Sequence, residues 1–143
     1  FSKEYRDLVK ISTKKRLNLQ GILVQEYIEG ESALLGLKKD PVLGHGLVFG
    51  VGGVYTELLK DVSFRACPIT RSDATDMIKE LKLYSILKGA RGKKAAHLQS
   101  IKEQLMQLSR LAEQHPNIAE LDINPLLVNE KGSYIVDARI IFD

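Results

Sequence analysis

With a single cysteine, Cys67, the chain has nothing with which to form an internal disulfide. This excludes a disulfide framework and any metal site built from several thiolates, so the expected setting is the reducing cytoplasm. Histidine is nearly as scarce. His45, His97 and His115 show no spacing, with Cys67 or with one another, that suits a nucleophile or a metal cage, and each is read as structural or solvent-exposed. No apolar run approaches the ~18–20 residues that span a bilayer, and FSKEYRDLVK is not a signal peptide, so no membrane partner is expected. Charge of one sign is also lacking. The 21 basic and 18 acidic residues leave a net +3, too small and too mixed for a nucleic-acid partner. Repeats, low-complexity tracts and interdomain linkers are missing, so residues 1–143 are expected to form part of one domain. The chain opens without Met on what reads as mid-domain sequence, and a fragment or processed product of a larger protein is expected.

Against these absences, hydrophobic residues make up 44% and charged residues 27%, the balance of an ordinary globular domain. Residues 2–16, with Tyr5, Leu8, Val9 and Ser12 on one side, predict a short amphipathic helix. The run from Ile22 to Ile28 is β-branched and aromatic in character and predicts a buried strand, followed by a turn at Glu29-Gly30-Glu31. Residues 32–39 read as the return strand, stopped at Asp40-Pro41. Leu47-Val48-Phe49 is a further short strand running into Gly50-Val51-Gly52-Gly53, and residues 54–66 are expected to be extended. Thr70-Arg71-Ser72-Asp73 has the form of a capping box opening a helix to about Lys82. In 94–114, Leu98, Ile101, Leu105, Leu108 and Ala112 recur at spacings of three and four, with Lys102, Glu103, Gln104 and Arg110 opposite. That stripe is the mark of an amphipathic helix, which His115-Pro116-Asn117 ends. Two apolar strands follow, near 118–128 and 133–141. The expected class is α+β with a mainly antiparallel sheet and flanking helices.

The final hairpin carries the strongest chemical signal. If its loop is residues 129–132, Val128 pairs with Ser133. Asn124 then falls opposite Asp137, and Asp122 opposite Arg139, all on one face because strand side chains alternate. Opposed residues have Cβ atoms roughly 4.5–5.5 Å apart, so two side-chain oxygens can share a hard cation. An Asn amide and an Asp carboxylate, completed by water and phosphate, suit Mg2+, which seldom has a full protein cage. The same residues would also fit a cross-strand hydrogen bond and an Asp122–Arg139 ion pair on a solvated face. Gly50-Val51-Gly52-Gly53 lacks the Gly-Lys-Ser/Thr ending of a Walker loop. Its glycines suit close approach to phosphate or an ordinary turn.

The string ELDINPLLV (120–128) followed by VDAR (136–139) resembles the end of the ATP-grasp domain in ADP-forming acyl-CoA synthetases. The resemblance extends upstream, in order, through KGARG, VFGVGGVYTELLKDVSFR, GLKKDP and GILVQEYIEG, and covers residues 21–143. It implies an ATP-grasp C-terminal lobe. Asn124 and Asp137 would be the metal pair, and Asp122 an acidic catalytic position near the phosphates or an incoming phosphohistidine. Gln25, Glu26, Tyr27 and Ile28 would form the hinge whose backbone reads adenine, while Gly52 and Gly53 would lie near phosphate. Arg65 and Lys60 match family strings that imply an electrostatic role near phosphate. Implied cofactors are Mg2+ and ATP or ADP.

The reaction implied is acyl-CoA, ADP and phosphate giving acid, CoA and ATP, through an acyl phosphate and a phosphohistidine. Implied partners are the remaining ATP-grasp lobe and the CoA-binding and ligase domains, in the same chain or an α subunit, with CoA and acyl substrates. Relatives carry Glu at the second position after the hinge glycine, where this chain has Ser32; a local shift would let Glu31 replace it. That departure leaves open a non-catalytic, nucleotide- or acyl-CoA-sensing module of a protein acetyltransferase. The motif set disfavours a third reading, carboxylate–amine ligation. The chain alone is expected to be inactive.

Overall fold

The computed structural model describes residues 2–52, 61–89 and 94–143. Helix α1 (Ser2–Lys14) comes first, and residues 17–30 then run without regular secondary structure. Strands β1 (Glu31–Asp40), β2 (Gly44–Val51) and β3 (Val62–Ala66) follow. Next come helices α2 (Arg71–Lys79), α3 (Tyr84–Leu87) and α4 (Leu98–Gln114). The chain ends in β4 (Ile118–Val128), β5 (Ser133–Ile135) and β6 (Ala138–Phe142). The sheet order is β3-β2-β1-β4-β5, with β6 also on β4, and every one of these pairings is antiparallel.

One face of the sheet is covered. Met77 and Ile78 of α2 and Ile101, Leu105 and Leu108 of α4 bury themselves in a core shared with Leu35, Leu37, Leu47, Phe49, Ile123 and Leu126. Fully burying a side chain of this size contributes about 1.5–3 kcal/mol, so the apolar stripe of α4 fixes the helix on the sheet. The opposite face carries the alternate residues, among them Gly36, Val48, Phe64 and Asp122, and no helix of the described residues packs on it.

The strand β4 serves neighbours on both sides, and their registers differ. Ala33 pairs with Leu126 but Leu35 with Ile123, so Asn124 and Pro125 together stand opposite Leu34. This is a β-bulge, and Pro suits it because an N–H is not needed there. Against β5 and β6 the register stays constant from Glu120 to Val128: Val128 meets Ser133, Leu126 meets Ile135, Ile123 meets Ala138 and Asp122 meets Arg139, and it shifts by one only beyond, at Ile118. That is the register the four-residue loop predicts.

Two expectations need correction. The stretch 133–141 is not one strand, because Val136 and Asp137 interrupt it where β4 bulges. The run 22–28 is neither buried nor a strand: Leu23 and Tyr27 are each 84% exposed. Both edges of β1 are already taken by β2 and β4, so the segment leading into it has no described strand to pair with. Propensity alone does not make a sheet. Of 54–66, only β3 can be compared, since residues 53–60 lie outside the described set.

Two polar contacts outside the sheet hold the helical region. The Thr70 N–H donates to Asp73 Oδ2 at 2.7 Å and the Asp73 N–H to Thr70 Oγ1 at 3.2 Å, the expected capping box of α2. Asp61, 5% exposed, accepts from the backbone N–H groups of Lys82 and Leu83 at 2.9 and 2.8 Å, tying the start of β3 to the entry of α3. Removing that buried carboxylate strands both donors. Asp61→Ala is therefore expected to lower stability by about 2–4 kcal/mol in urea unfolding, and Asp61→Asn by less, since it keeps one acceptor oxygen.

The capping box also predicts a pH response. The Thr70 backbone N–H holds the Asp73 carboxyl below its ordinary range. Its stabilisation is complete above the unfolded value near about 4 and is lost as pH falls through the lower folded value. Tm measured against pH should show a shallower acid limb in Asp73→Asn than in the parent.

Candidate functional site

The bulge in β4 and the break between β5 and β6 lie side by side. Asn124 donates its N–H to the Asp137 carbonyl at 3.2 Å, and Val136 donates to the Pro125 carbonyl at 3.2 Å, which bridges the gap left in the ladder. Leu121 and Ile123 point into the core, while Asp122 and Asn124 are exposed on the open face. Asp137 and Arg139 are exposed as well, and Arg139 sits directly across from Asp122. The structure thus brings Asp122, Asn124, Asp137 and Arg139 together at one end of the open face.

Neither of the two bonds foreseen as an alternative use of this quartet is made. Among the described residues Asp122 and Arg139 form no ion pair, and the side chains of Asn124 and Asp137 make no hydrogen bond. No three His, Cys, Asp or Glu side chains converge into a cage among the described residues. The donor set is an amide oxygen and free carboxylates on an exposed surface. It fits a hard cation that keeps part of its shell as water and phosphate oxygen.

The segment Gln25–Ile28 reaches the same region from another direction. Glu26, Tyr27, Ile28 and Glu29 line a surface groove of about 390 Å3 with Asn129, Glu130, Lys131 and Tyr134. Two features hold it there: Asn129 Nδ2 donates to the Glu29 carbonyl at 2.8 Å, and Gly30 passes close to β4. A Cβ at Gly30 would lie 2.7 Å from the Val128 carbonyl oxygen, so only glycine allows this approach. Among the described residues, the backbone of 25–28 makes no sheet hydrogen bonds. Tyr134 is three residues from Asp137, at most about 11 Å of chain, which bounds the span between the groove and the Asn124–Asp137 pair.

Other expected site residues fall elsewhere. Gly52 donates to the Ser32 carbonyl at 2.5 Å, and a Cβ there would lie 2.4 Å from Ser32 Oγ, so packing on β1 already requires this glycine. Gly53 and Lys60 lie outside the described residues. Arg65 lies away from the open face: it pairs across from buried Leu47, on the helix side, and its Nη1 donates to Glu80 at 3.1 Å. Glu31 cannot stand in for Ser32 by a local shift, because adjacent strand residues face opposite sides of the sheet; Ser32 has the parity of the open face and Glu31 does not. Cys67 is half-buried, and burial pushes its thiol up, away from nucleophilic use. His45 is structural, its Nε2 lying 2.7 Å from the Ile118 carbonyl.

Asp61 and the bulge were not foreseen. The bulge shows only once β1 is known to pair on the far side of β4, although Asn-Pro inside an apolar strand was a signal available in the sequence.

Comparison with known proteins identifies the family. The model of an ATP-grasp domain matches residues 2–142. Acetate–CoA ligase [ADP-forming] I of Archaeoglobus fulgidus is 45% identical over 127 residues, which are 88% of this chain and 18% of the relative. The β subunit of acetate–CoA ligase [ADP-forming] I of Pyrococcus furiosus is 40% identical over 129 residues, 90% of this chain and 56% of that subunit. The chain therefore spans about half or less of the length of these relatives. Among solved structures, the apo form of acetyl-coenzyme A synthetase 1 from Ca. Korarchaeum cryptofilum superimposes with a TM-score of 0.83 at 40% identity, over 99% of this chain and 67% of that one. The same synthetase in complex with coenzyme A and Mg-AMPPCP gives 0.78 at 42%, over 82% and 55%. The chain belongs to the ATP-grasp family, and its antiparallel sheet with flanking helices matches the ATP-grasp lobe of acetyl-coenzyme A synthetase structures.

Proposed function

We propose that residues 1–143 form the metal- and nucleotide-facing lobe of a larger ADP-forming acyl-CoA synthetase. The larger protein converts acyl-CoA, ADP and phosphate into acid, CoA and ATP, with a phosphohistidine as carrier. One observation carries the reading: Asn124 and Asp137, both exposed, are joined backbone to backbone at the bulge in β4, beside the exposed Asp122–Arg139 rung.

Asn124 and Asp137 would hold Mg2+, and the chemistry this ion supplies is neutralisation and alignment of phosphate oxygens. Asp122 lies on the neighbouring ladder rung, where it faces the phosphates and the carrier histidine of the partner domain. The exposed backbone of Gln25–Ile28 reads the adenine edge, with one donor and one acceptor side by side. Gly52 borders the phosphates. The second wall of the nucleotide cleft comes from the remaining ATP-grasp lobe, and the CoA-binding domains come from the same protein or an α subunit.

The surface for that other lobe is present. On α1, Tyr5, Leu8 and Ile11 are about half exposed, and Leu17, Leu19, Leu23, Val24 and Tyr27 continue the apolar strip. Contiguous exposed apolar surface of this extent marks a contact site. Hydrogen exchange at 22–28 should be fast in the isolated chain and slow in the longer protein. Equal rates in both would remove this face from the interface.

Two measurements test the nucleotide reading. The isolated chain should bind Mg-ADP about two to three orders of magnitude more weakly than the longer protein, having lost the charged contacts of the other lobe. In the longer protein, CoA release from acyl-CoA should require both ADP and phosphate. Asp137→Ala should lower it by about two orders of magnitude. Wild-type turnover by that variant would sink the metal assignment.

A further inference from the structure

Arg139 is an exposed guanidinium with nothing to bind. Among the described residues it has no carboxylate within ion-pair distance and no other hydrogen-bond partner, although its ladder partner is Asp122. Other arginines do find partners: Arg65 is clasped by Glu80, and the Arg6 side chain donates to the Ser2 carbonyl at 2.9 Å. Arg139 is paired across from open-face Asp122 and is two residues from Asp137, at most about 7 Å of chain. That is the span over which one phosphoryl group can touch a cation at Asp137 on one side and a guanidinium on the other. An exposed Asp–Arg pair gains little in water, so a phosphate oxygen pair, which a guanidinium binds through two parallel N–H groups, competes easily with Asp122.

We propose that Arg139 is a phosphoryl-positioning residue: it grips the oxygens of the phosphoryl group presented to the Asn124–Asp137 metal pair. This rests on the reading that the open face handles phosphate. The bound group is either the terminal phosphate of the nucleotide or the phosphate arriving from the carrier. Both offer the same anionic oxygens, and kinetics separate them.

The test uses the longer, complete protein. Arg139→Gln should lower kcat/KM by about 10- to 100-fold, the loss of one or two charge-assisted hydrogen bonds, and Arg139→Lys should recover part of it. Guanidinium ion added to Arg139→Ala should restore turnover, which a merely structural role would not allow. Mn2+ affinity, read by electron paramagnetic resonance, should be unchanged, because Asn124 and Asp137 are intact. Arg110→Gln removes the same charge from α4, on the groove it shares with Arg71 and Lys102 of the covered side, and should leave activity unchanged.

A raised KM for ADP alone assigns the contact to the nucleotide, and a raised KM for phosphate alone assigns it to the incoming group. Wild-type kinetics in Arg139→Gln, an equal loss in Arg110→Gln, or loss of Mn2+ binding alongside activity would overturn the proposal. Titration with Mg-pyrophosphate reads the same contact without turnover. An inactive parent protein whose pyrophosphate binding still weakens in Arg139→Gln would refute the synthetase reading and keep this one.

Discussion

The strand β4 has to satisfy two neighbours whose registers differ by one residue, and the site depends on how it does so. Against β1 the mismatch is absorbed by Asn124 and Pro125, which share the single position opposite Leu34. Against β5 and β6 there is no mismatch between Glu120 and Val128, so the distortion passes through to Val136 and Asp137. Below the bulge the inward residues are Leu121 and Ile123, and above it Leu126 and Val128. The extra residue lets the core face stay apolar along the whole strand while Asn124 stays outside. Without it, a strict alternation would place Leu126 and Val128 on the open face or Asn124 in the core. The core and the polar quartet are thus two results of one backbone irregularity.

This explains what could and could not be read beforehand. The register of the last hairpin was legible because a four-residue loop between two apolar strands fixes pairing locally. The capping box at Thr70 and the apolar stripe of α4 were legible for the same reason, since each is contained within a turn or two of chain. The bulge was not, because it exists only relative to β1, some ninety positions earlier in sequence. Asp61 was not, because its partners, Lys82 and Leu83, lie beyond β3 and α2. Arg65 was misplaced for want of one fact, namely which face of β3 it occupies.

The segment 22–28 failed in a different way. Its composition is that of a strand, and among the described residues no strand pairs with it. β-Propensity measures how well a side chain fits a half-buried pleated surface, and that surface has to be provided by something else. Leu23, Val24 and Tyr27 are instead exposed, beside an α1 whose apolar face is also uncovered. Sequence here specified a capacity to pair and not a pairing. The same feature is what leaves the backbone of Gln25–Ile28 open beside the hairpin groove.

The polar quartet, finally, costs the fold little. A charged group buried without a partner is destabilising by several kcal/mol, and its neighbours would be forced to satisfy it. Asp122, Asn124, Asp137 and Arg139 are all exposed, so each can remain unpaired in water at almost no expense, and an Asp122–Arg139 bridge would return at most about 1 kcal/mol. Stability therefore does not dictate what these side chains bind. It is dictated one layer below, by Leu121, Ile123, Leu126 and Val128 on the other face of the same strand. A single strand can in this way hold a rigid apolar row and a set of free ligands, one per face, and the rigidity of the first sets the spacing of the second.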